Sequence, residues 1–299
     1  MLKVLITGAN GFIANYLSEF APPNISTYLT SRNPNNHLSS SNTLVSNLRD
    51  YLIIEKFVLE NEIDTIIHCA GDANVDSVEQ DPIRGIESNL LTTLNLVNLS
   101  KKYNIFLVFL SSNAIFDGTN PLYDEKSVPN PINKYGLIKL NCEEIIKENL
   151  SEFCIVRPIL TYGWNINHTR SNPVTFVINN LKQGMKIRMV TDVYENPLYV
   201  RQLVDVLWTA VLKRFKGIVH VAGSTILSRY ELAIEVANVF SLDKNLIEKS
   251  NSHEFVHLAP RPLNTSFNTE KMLSVFKIKS LAISDGLIQM RNNHLNDDL

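Results

Sequence analysis

The start of the chain limits the fold more than any other stretch. Val4-Leu5-Ile6-Thr7 is a short, largely apolar run of the kind that a parallel sheet buries on both faces. Gly8-Ala9-Asn10-Gly11-Phe12-Ile13-Ala14 follows at once, and Ile13, Tyr16, Leu17 and Phe20 then recur at helical spacing. A strand, a glycine-rich turn and a helix N-terminus in direct succession make a site for an anion. Gly8 permits the tight turn, Gly11 lets the backbone approach a pyrophosphate, and the helix dipole favours the negative charge. Ala14 stands where a third glycine is common, and its methyl still allows helix and strand to pack closely. The expected fold is α/β, a Rossmann-type doubly wound parallel sheet, with Gly8, Asn10, Gly11, Phe12 and Ile13 cradling a dinucleotide.

Apolar runs and helical patterns then alternate as such a sheet requires. A second strand, Ile25 to Leu29, leads into Thr30-Ser31-Arg32, where a fold preferring the unphosphorylated cofactor places an acid on the ribose. No acid occurs between Asn24 and Asn47, whereas Ser31 and Arg32 offer a hydroxyl and a guanidinium suited to a 2′-phosphate. NADP(H) is therefore the expected cofactor, with NAD(H) as the alternative. Thr43 to Ser46 reads as a third strand, with Asn47 and Leu48 near an adenine, and a helix spans Arg49 to Glu60. Strand four, Thr65 to Cys69, ends in Ala70-Gly71, small enough to admit a cofactor ribose. His68, among core-like neighbours, reads as a satisfied strand residue. A long helix with Leu90, Leu91, Leu94 and Val97 covers the sheet. Asn89 beside it, a candidate cofactor-site residue, either bridges a kinked backbone and a water near Lys139 or caps a local turn.

The chemistry lies further on. Strand five, Ile105 to Leu110, ends in Ser111-Ser112, and the helix from Asn133 to Asn149 carries Tyr135 and Lys139, which share one helical face. A phenol is a poor acid near neutrality, but a fixed ammonium and a cationic cofactor ring stabilise phenolate. Ser112 would hold the reacting oxygen where Tyr135 can exchange a proton with it. Asp117 to Asn133, rich in Gly, Pro, Asn and Asp, is a loop of the kind that lines an α/β crevice. Strand six, Phe153 to Val156, leads to Arg157-Pro158, with Pro158 on the cofactor side.

Past about Trp164 the alternation loosens. Residues 1–163 are expected to form the dinucleotide domain, and 164–299 a substrate lobe with some elements returning to the first sheet. Asn165 through Ser171 reads as a loop, and the polar tail from Asn292 to Leu299 is expected to fray. A net charge of −2 with scattered lysines and arginines gives no field for nucleic acid or an anionic membrane. No apolar run nears the ~20 residues of a membrane span, and no signal peptide precedes the first strand. Three distant cysteines, Cys69, Cys142 and Cys154, suggest a reducing, cytoplasmic setting, and no metal site can be assembled from the histidines.

These blocks together resemble the extended short-chain dehydrogenase/reductase family, and within it the dTDP-4-dehydrorhamnose reductases. The likeness runs through Thr7 to Ala14, then Ser111-Ser112-Asn113-Ala114-Ile115-Phe116-Asp117-Gly118, similar to Ser-Thr-Asp-Tyr-Val-Phe-Asp-Gly. It continues through Tyr135 to Lys139 and through Arg261-Pro262-Leu263-Asn264-Thr265-Ser266. The resemblance implies reduction of a nucleotide-linked 4-keto-6-deoxy sugar, with Tyr135 as proton donor, Lys139 on the nicotinamide ribose and Ser112 on the carbonyl. It also implies Asp72, Asn113, Asp192 and Arg261 as substrate contacts, and a homodimer. Departures concern the sugar end: a segment resembling Asp-Gln-x-Gly-x-Pro-Thr reads Asp192-Val193-Tyr194-Glu195-Asn196-Pro197-Leu198, and Trp164 follows rather than precedes Tyr162-Gly163. Alternatives are a nucleotide-sugar epimerase or epimerase/reductase, and a regulatory subunit that binds NADP(H) and a partner enzyme. A dehydratase is disfavoured, because Asn113 and Ala114 supply no acid pair.

Overall fold

The computed structural model describes residues 1–34, 42–165, 171–255 and 259–297, with side chains as far as 293. The first half of the chain alternates strand and helix: β1 (Leu2–Thr7), α1 (Phe12–Glu19), β2 (Ile25–Ser31), β3 (Thr43–Val45), α2 (Tyr51–Glu60) and β4 (Thr65–His68). Short α3 (Val75–Gln80) and α4 (Pro82–Gly85) lead into a π-helical turn, Ile86–Leu90, and then α5 (Leu91–Tyr103), β5 (Phe106–Leu110), α6 (Lys134–Asn149) and β6 (Phe153–Pro158). The second half brings β7 (Thr161–Tyr162), α7 (Pro173–Lys182), β8 (Ile187–Val190), β9 (Tyr194–Glu195), β10 (Leu198–Tyr199) and α8 (Val200–Lys213). It closes with β11 (Gly217–Val221), β12 (Leu227–Ser228), α9 (Arg229–Phe240), β13 (Ile247–Ser250), α10 (Glu270–Phe276) and α11 (Ile283–Asp297).

Seven strands form one parallel sheet in the order β11-β6-β5-β4-β1-β2-β3. The chain reverses direction across the sheet between β1 and β4, the switch point outside which ligands of open α/β folds bind. Alternate residues of each strand feed opposite cores. Leu5, Ile66, Leu107 and Ile155 pack with α2, α5 and α6 residues such as Ile54, Leu96 and Ile138. Ile6, Ile67, Val108 and Val156 pack on the other face with Leu17 of α1 and Val204 and Leu207 of α8. β11 comes from far along the chain and completes the sheet beside β6.

Element ends shift from the expectation for local reasons. β2 runs on through Thr30 and Ser31, because β3 pairs with it as far as Ser31–Val45. α2 starts at Tyr51 rather than Arg49, since Asn47 closes a turn by accepting from the Arg49 amide at 3.1 Å. β4 stops at His68 because the Cys69 and Ala70 amides leave the ladder for the Thr7 hydroxyl, at 3.2 and 3.1 Å. The helix expected around Leu90 is interrupted by the π turn at Ile86–Leu90. Of the polar tail expected to fray, Asn292 to Asp297 continue α11, and residues 298–299 lie outside the described residues. Of the polar stretch after Trp164, residues 166–170 lie outside the described residues.

Under the C-terminal ends of β5 and β6 lies a charged pair with almost no exposure, Arg157 at 2% and Glu143 at 0%. Arg157 donates to both Glu143 oxygens, Nε to Oε1 at 2.9 Å and Nη2 to Oε2 at 2.6 Å. The Ser111 hydroxyl donates to Oε1 at 2.5 Å, and Arg157 Nη1 lies 3.2 Å from His220 Nε2 of β11. One carboxylate thus joins α6, β5 and β6, and the guanidinium carries the connection to β11. Removing one member of such a pair strands the other charge in the interior. Arg157→Leu is expected to cost about 3–5 kcal/mol of folding stability, read from denaturant midpoints. A loss under about 1 kcal/mol would mean that the pair is not coupled to the fold.

Candidate active site

The floor of the site is the turn after β1. Gly8 has φ +74°, and a Cβ there would lie 2.8 Å from Ala70 Cα, so only glycine lets the β1 and β4 ends come this close. The Gly11 amide closes the turn on the Gly8 carbonyl at 2.7 Å, and α1 begins at Phe12. Behind the turn runs a directed chain of hydrogen bonds. Thr7 Oγ1 accepts from the Cys69 and Ala70 amides, so it donates to His68 Nδ1, 2.8 Å away. Thr93 Oγ1 donates to the Asn89 carbonyl at 2.7 Å, so it accepts from His68 Nε2, 3.2 Å away. His68 is therefore the neutral Nε2–H tautomer, satisfied on both sides. Burial, assisted by the Lys139 ammonium, holds its pKa down at about 3.

Two contiguous clefts open above this floor and share Gly11, Cys69, Ala70 and Gly71. The first, of about 270 Å³, has Gly8, Asn10, Ser31, Arg32, Asn47 and Leu48 in its wall. The Ser31 hydroxyl donates to the Asn33 carbonyl at 2.6 Å, whereas Arg32 is exposed. Arg49 and Arg84 also line this cleft, Arg49 in an ion pair with Glu87 at 3.2 Å.

The second cleft, of about 480 Å³, gathers Phe12, Ile13, Asn89, Pro158 and the trio Ser112, Tyr135 and Lys139. Lys139 is 6% exposed, its Nζ donating to the Leu110 carbonyl at 2.8 Å and lying 4.7 Å from the Phe109 ring centroid. Tyr135 is equally buried, one turn away on the same helix, and no hydrogen bond of its hydroxyl occurs among the described residues. Asn133 caps α6 by accepting from the Gly136 amide at 2.8 Å. Gly136 sets the approach of helix to loop, because a Cβ there would lie 2.0 Å from the Ala114 carbonyl oxygen. Ser112 Oγ accepts from the Ala114 amide at 3.1 Å, which polarises its O–H toward an acceptor. Asn89 sits on the π turn, its amide donating to the Gly85 carbonyl at 3.0 Å and the Asp72 carbonyl at 3.3 Å. It braces backbone against backbone between the cofactor strand end and the helix.

Among the expected substrate contacts, Asn113 and Arg261 line the second cleft. Asp72 and Asp192 are not brought to it. The Asp72 carboxylate accepts from the Asn74 amide at 2.9 Å and from Ser77 Oγ at 3.3 Å at the start of α3. Asp192 accepts from the Ser252 amide at 2.9 Å and hydroxyl at 2.7 Å. Trp164 turns toward α11, donating to the Met290 carbonyl at 2.7 Å. Two charged residues of the second cleft went unnoticed in the sequence, Glu195 and Arg229, joined by a 2.7 Å ion pair. The only hint of Glu195 was its place in a segment, 192–198, where the resemblance breaks down.

The family model described as RmlD substrate binding domain matches residues 2–295. The chain belongs to this family. A dTDP-4-dehydrorhamnose reductase from Bacillus anthracis, solved in complex with NADP, superposes with a TM-score of 0.88 at 26% identity, over 98% of this chain and all of that one. The reductase from Yersinia enterocolitica gives 0.83 at 26% identity over 98% and 99% of the two chains. Among curated proteins, methionine adenosyltransferase 2 subunit beta of Xenopus tropicalis is 28% identical over 232 residues, 76% of this chain and 69% of the relative. Across the described residues no helix is long and apolar enough to cross a membrane, and no cluster of metal-ligating side chains occurs.

Two measurements follow from this geometry. Gly136→Ala forces α6 away from the reaction loop and is expected to cost about 1–3 kcal/mol, read by thermal or chemical denaturation. Because the folded pKa of His68 lies below the ordinary 6.5, the unfolded chain takes up a proton between about pH 6.5 and 3 that the folded chain refuses. The contribution is complete above about pH 6.5 and is lost as pH falls toward 3. His68→Gln should flatten the fall of stability with acidity by up to one proton, roughly 1.4 kcal/mol per pH unit. An unchanged slope would contradict the assignment of a buried neutral His68.

Proposed function

We propose that this protein is an NADPH-dependent reductase of a nucleotide-linked 4-keto-6-deoxy sugar, of the dTDP-4-dehydrorhamnose reductase type. One observation carries the reading: the Ser112 hydroxyl, Tyr135 phenol and Lys139 ammonium line a single cleft that continues into the glycine turn at the sheet's switch point. The fit to a dinucleotide rests on that turn. Gly8 and Gly71 both have positive φ, and a side chain at either would collide with the opposite wall of the groove, at Ala70 and Asn89 respectively. Exposed Arg32 and the lack of any acid at the end of β2 support the 2′-phosphorylated form, with NAD(H) as the lesser ligand. Similarity to a reductase solved with NADP supports the same choice.

When bound, the reduced nicotinamide supplies the hydride for the keto carbon. Ser112 Oγ, already accepting from the Ala114 amide, donates its hydrogen to the substrate carbonyl and so orients it. Tyr135 passes its phenolic proton to the developing alkoxide. Lys139 is anchored by the Leu110 carbonyl, which leaves its remaining donors for a ribose hydroxyl and its charge to stabilise the phenolate. Arg261, held by Asp76 at 2.8 Å, presents a guanidinium to the substrate's diphosphate from the far wall.

A second reading comes from the curated relatives, which include methionine adenosyltransferase 2 subunit beta. In it the chain would bind the dinucleotide and a partner enzyme without turnover. The retained trio favours catalysis. The discriminating assay follows oxidation of NADPH and NADH with dTDP-4-dehydrorhamnose and related 4-keto sugars. Net NADPH consumption is expected, which also excludes a simple epimerase, and Tyr135→Phe should lower kcat about 10²–10⁴-fold while leaving NADPH affinity within a few-fold. Unchanged turnover in that variant would remove the acid role. Absence of turnover with every sugar, alongside tight NADPH binding, would favour the regulatory reading.

A further inference from the structure

Glu195 is a carboxylate 9% exposed in the wall of the reacting cleft, and the proposed chemistry gives it no task. It lies on β9, which pairs with β12 at Leu227 and so belongs to the elements over the crevice rather than to the main sheet. Its Oε1 accepts from Asn113 Nδ2 at 2.9 Å, and its Oε2 faces Arg229 Nη2 at 2.7 Å. The second hydrogen of the Asn113 amide goes to Thr265 Oγ1 at 2.7 Å, and Thr265 is 1% exposed. Both hydrogens of that amide are therefore spoken for, which settles which way the side chain points. Its oxygen is left facing Ser112 Oγ, 3.4 Å away. At that length the contact is weak, so the Ser112 hydrogen can turn to a substrate oxygen at little cost.

We infer that Glu195 is a positioning residue: by fixing Asn113 from across the cleft, it holds the 112–114 turn, whose Ala114 amide donates to Ser112 Oγ, in the place where that hydroxyl receives the substrate carbonyl. The inference deepens the reductase reading and rests on it for its kinetic consequence. Residue types at both ends agree with the contact. The segment this loop resembles carries Asp where Asn113 stands; an Asp here would put two carboxylates in contact, whereas an amide donates to Glu195. Arg229 balances the buried charge, which allows a carboxylate to persist at this depth.

The pair can be tested by exchanging its chemistry. In Asn113→Asp two carboxylates meet. In Glu195→Gln the charge opposite Arg229 is lost, and the new NH2 must face either the Asn113 amide or the guanidinium, so two positively polarised groups meet. In the double variant, the amide introduced on β9 donates to the carboxylate introduced beside Ser112 and turns its oxygen toward Arg229, so the donor–acceptor contact between the two positions is restored in the opposite sense. Each single variant is expected to lower kcat on dTDP-4-dehydrorhamnose about tenfold or more, with KM and NADPH affinity within about threefold, and the double variant to return kcat to within about threefold of the parent. Hydrogen exchange at the 112–116 amides, which needs no substrate, should quicken in each single variant and return to the parent rate in the double, with the rest of the sheet unchanged. Additive losses in the double variant, or exchange at these amides that none of the changes affects, would overturn the inference. Should the parent turn over no 4-keto sugar, the reductase reading falls while the exchange measurement still decides the contact.

Discussion

The carboxylate of Glu143 and the guanidinium of Arg157 meet where water does not reach, and the geometry of the site depends on that contact. Glu143 shares α6 with Tyr135 and Lys139; Ser111, which donates to it, precedes Ser112. Arg157 precedes Pro158 at the end of β6 and leans on His220 of β11. Burying two charges is costly, and good bidentate geometry with further hydrogen bonds is what offsets it. Here the offset is complete enough to tie the helix that carries the phenol to the strand that carries the hydroxyl. Rings continue the contact outward: Phe116 lies beneath the guanidinium and stacks on Tyr123, and His220 stacks on Phe267 from the last part of the chain.

A second constraint acts at the other end of the cleft. The close approach of β1 and β4 at Gly8 and Ala70 leaves backbone amides to satisfy, and Thr7 accepts two of them. That forces its own proton onto His68, and the chain of donors ends at the Asn89 carbonyl on the π turn. The extra residue of a π turn is a common device where a helix must aim a side chain inward. Here Asn89 is aimed between the strand end and its own helix, where its amide links the Gly85 and Asp72 carbonyls. These bonds brace the groove on the side where a pyrophosphate and ribose would lie.

Much of this was legible in the residues before the fold was known. The apolar run at Val4–Thr7 with Gly8 and Gly11 implied a parallel sheet with an anion site, because few other arrangements tolerate glycines there. Ser112, Tyr135 and Lys139 were legible as a group because strand-end and helical periodicities predict where side chains point, and all three line one cleft. Long-range pairing was much less legible. Nothing local distinguishes Glu143 or Arg157 from surface charges on an ordinary helix and strand, yet they are among the least exposed side chains. Glu195 and Arg229 escaped notice for the same reason, since their partners lie on elements far apart in sequence. Asp72 and Asp192 show the converse. Aligned position suggested substrate contacts, whereas each carboxylate is consumed by amides and hydroxyls of its own neighbourhood.

The proposed reduction depends on the meeting of phenol, ammonium and nicotinamide in one crevice. A crystal structure of the protein soaked with NADP⁺ tests that most directly. The pyrophosphate is expected over the Gly8–Gly11 turn, the nicotinamide ribose on the Lys139 ammonium, and the ring carbon that carries hydride facing the space between Tyr135 and Ser112. A dinucleotide bound elsewhere, or with its nicotinamide directed away from the Tyr135 hydroxyl, would contradict it.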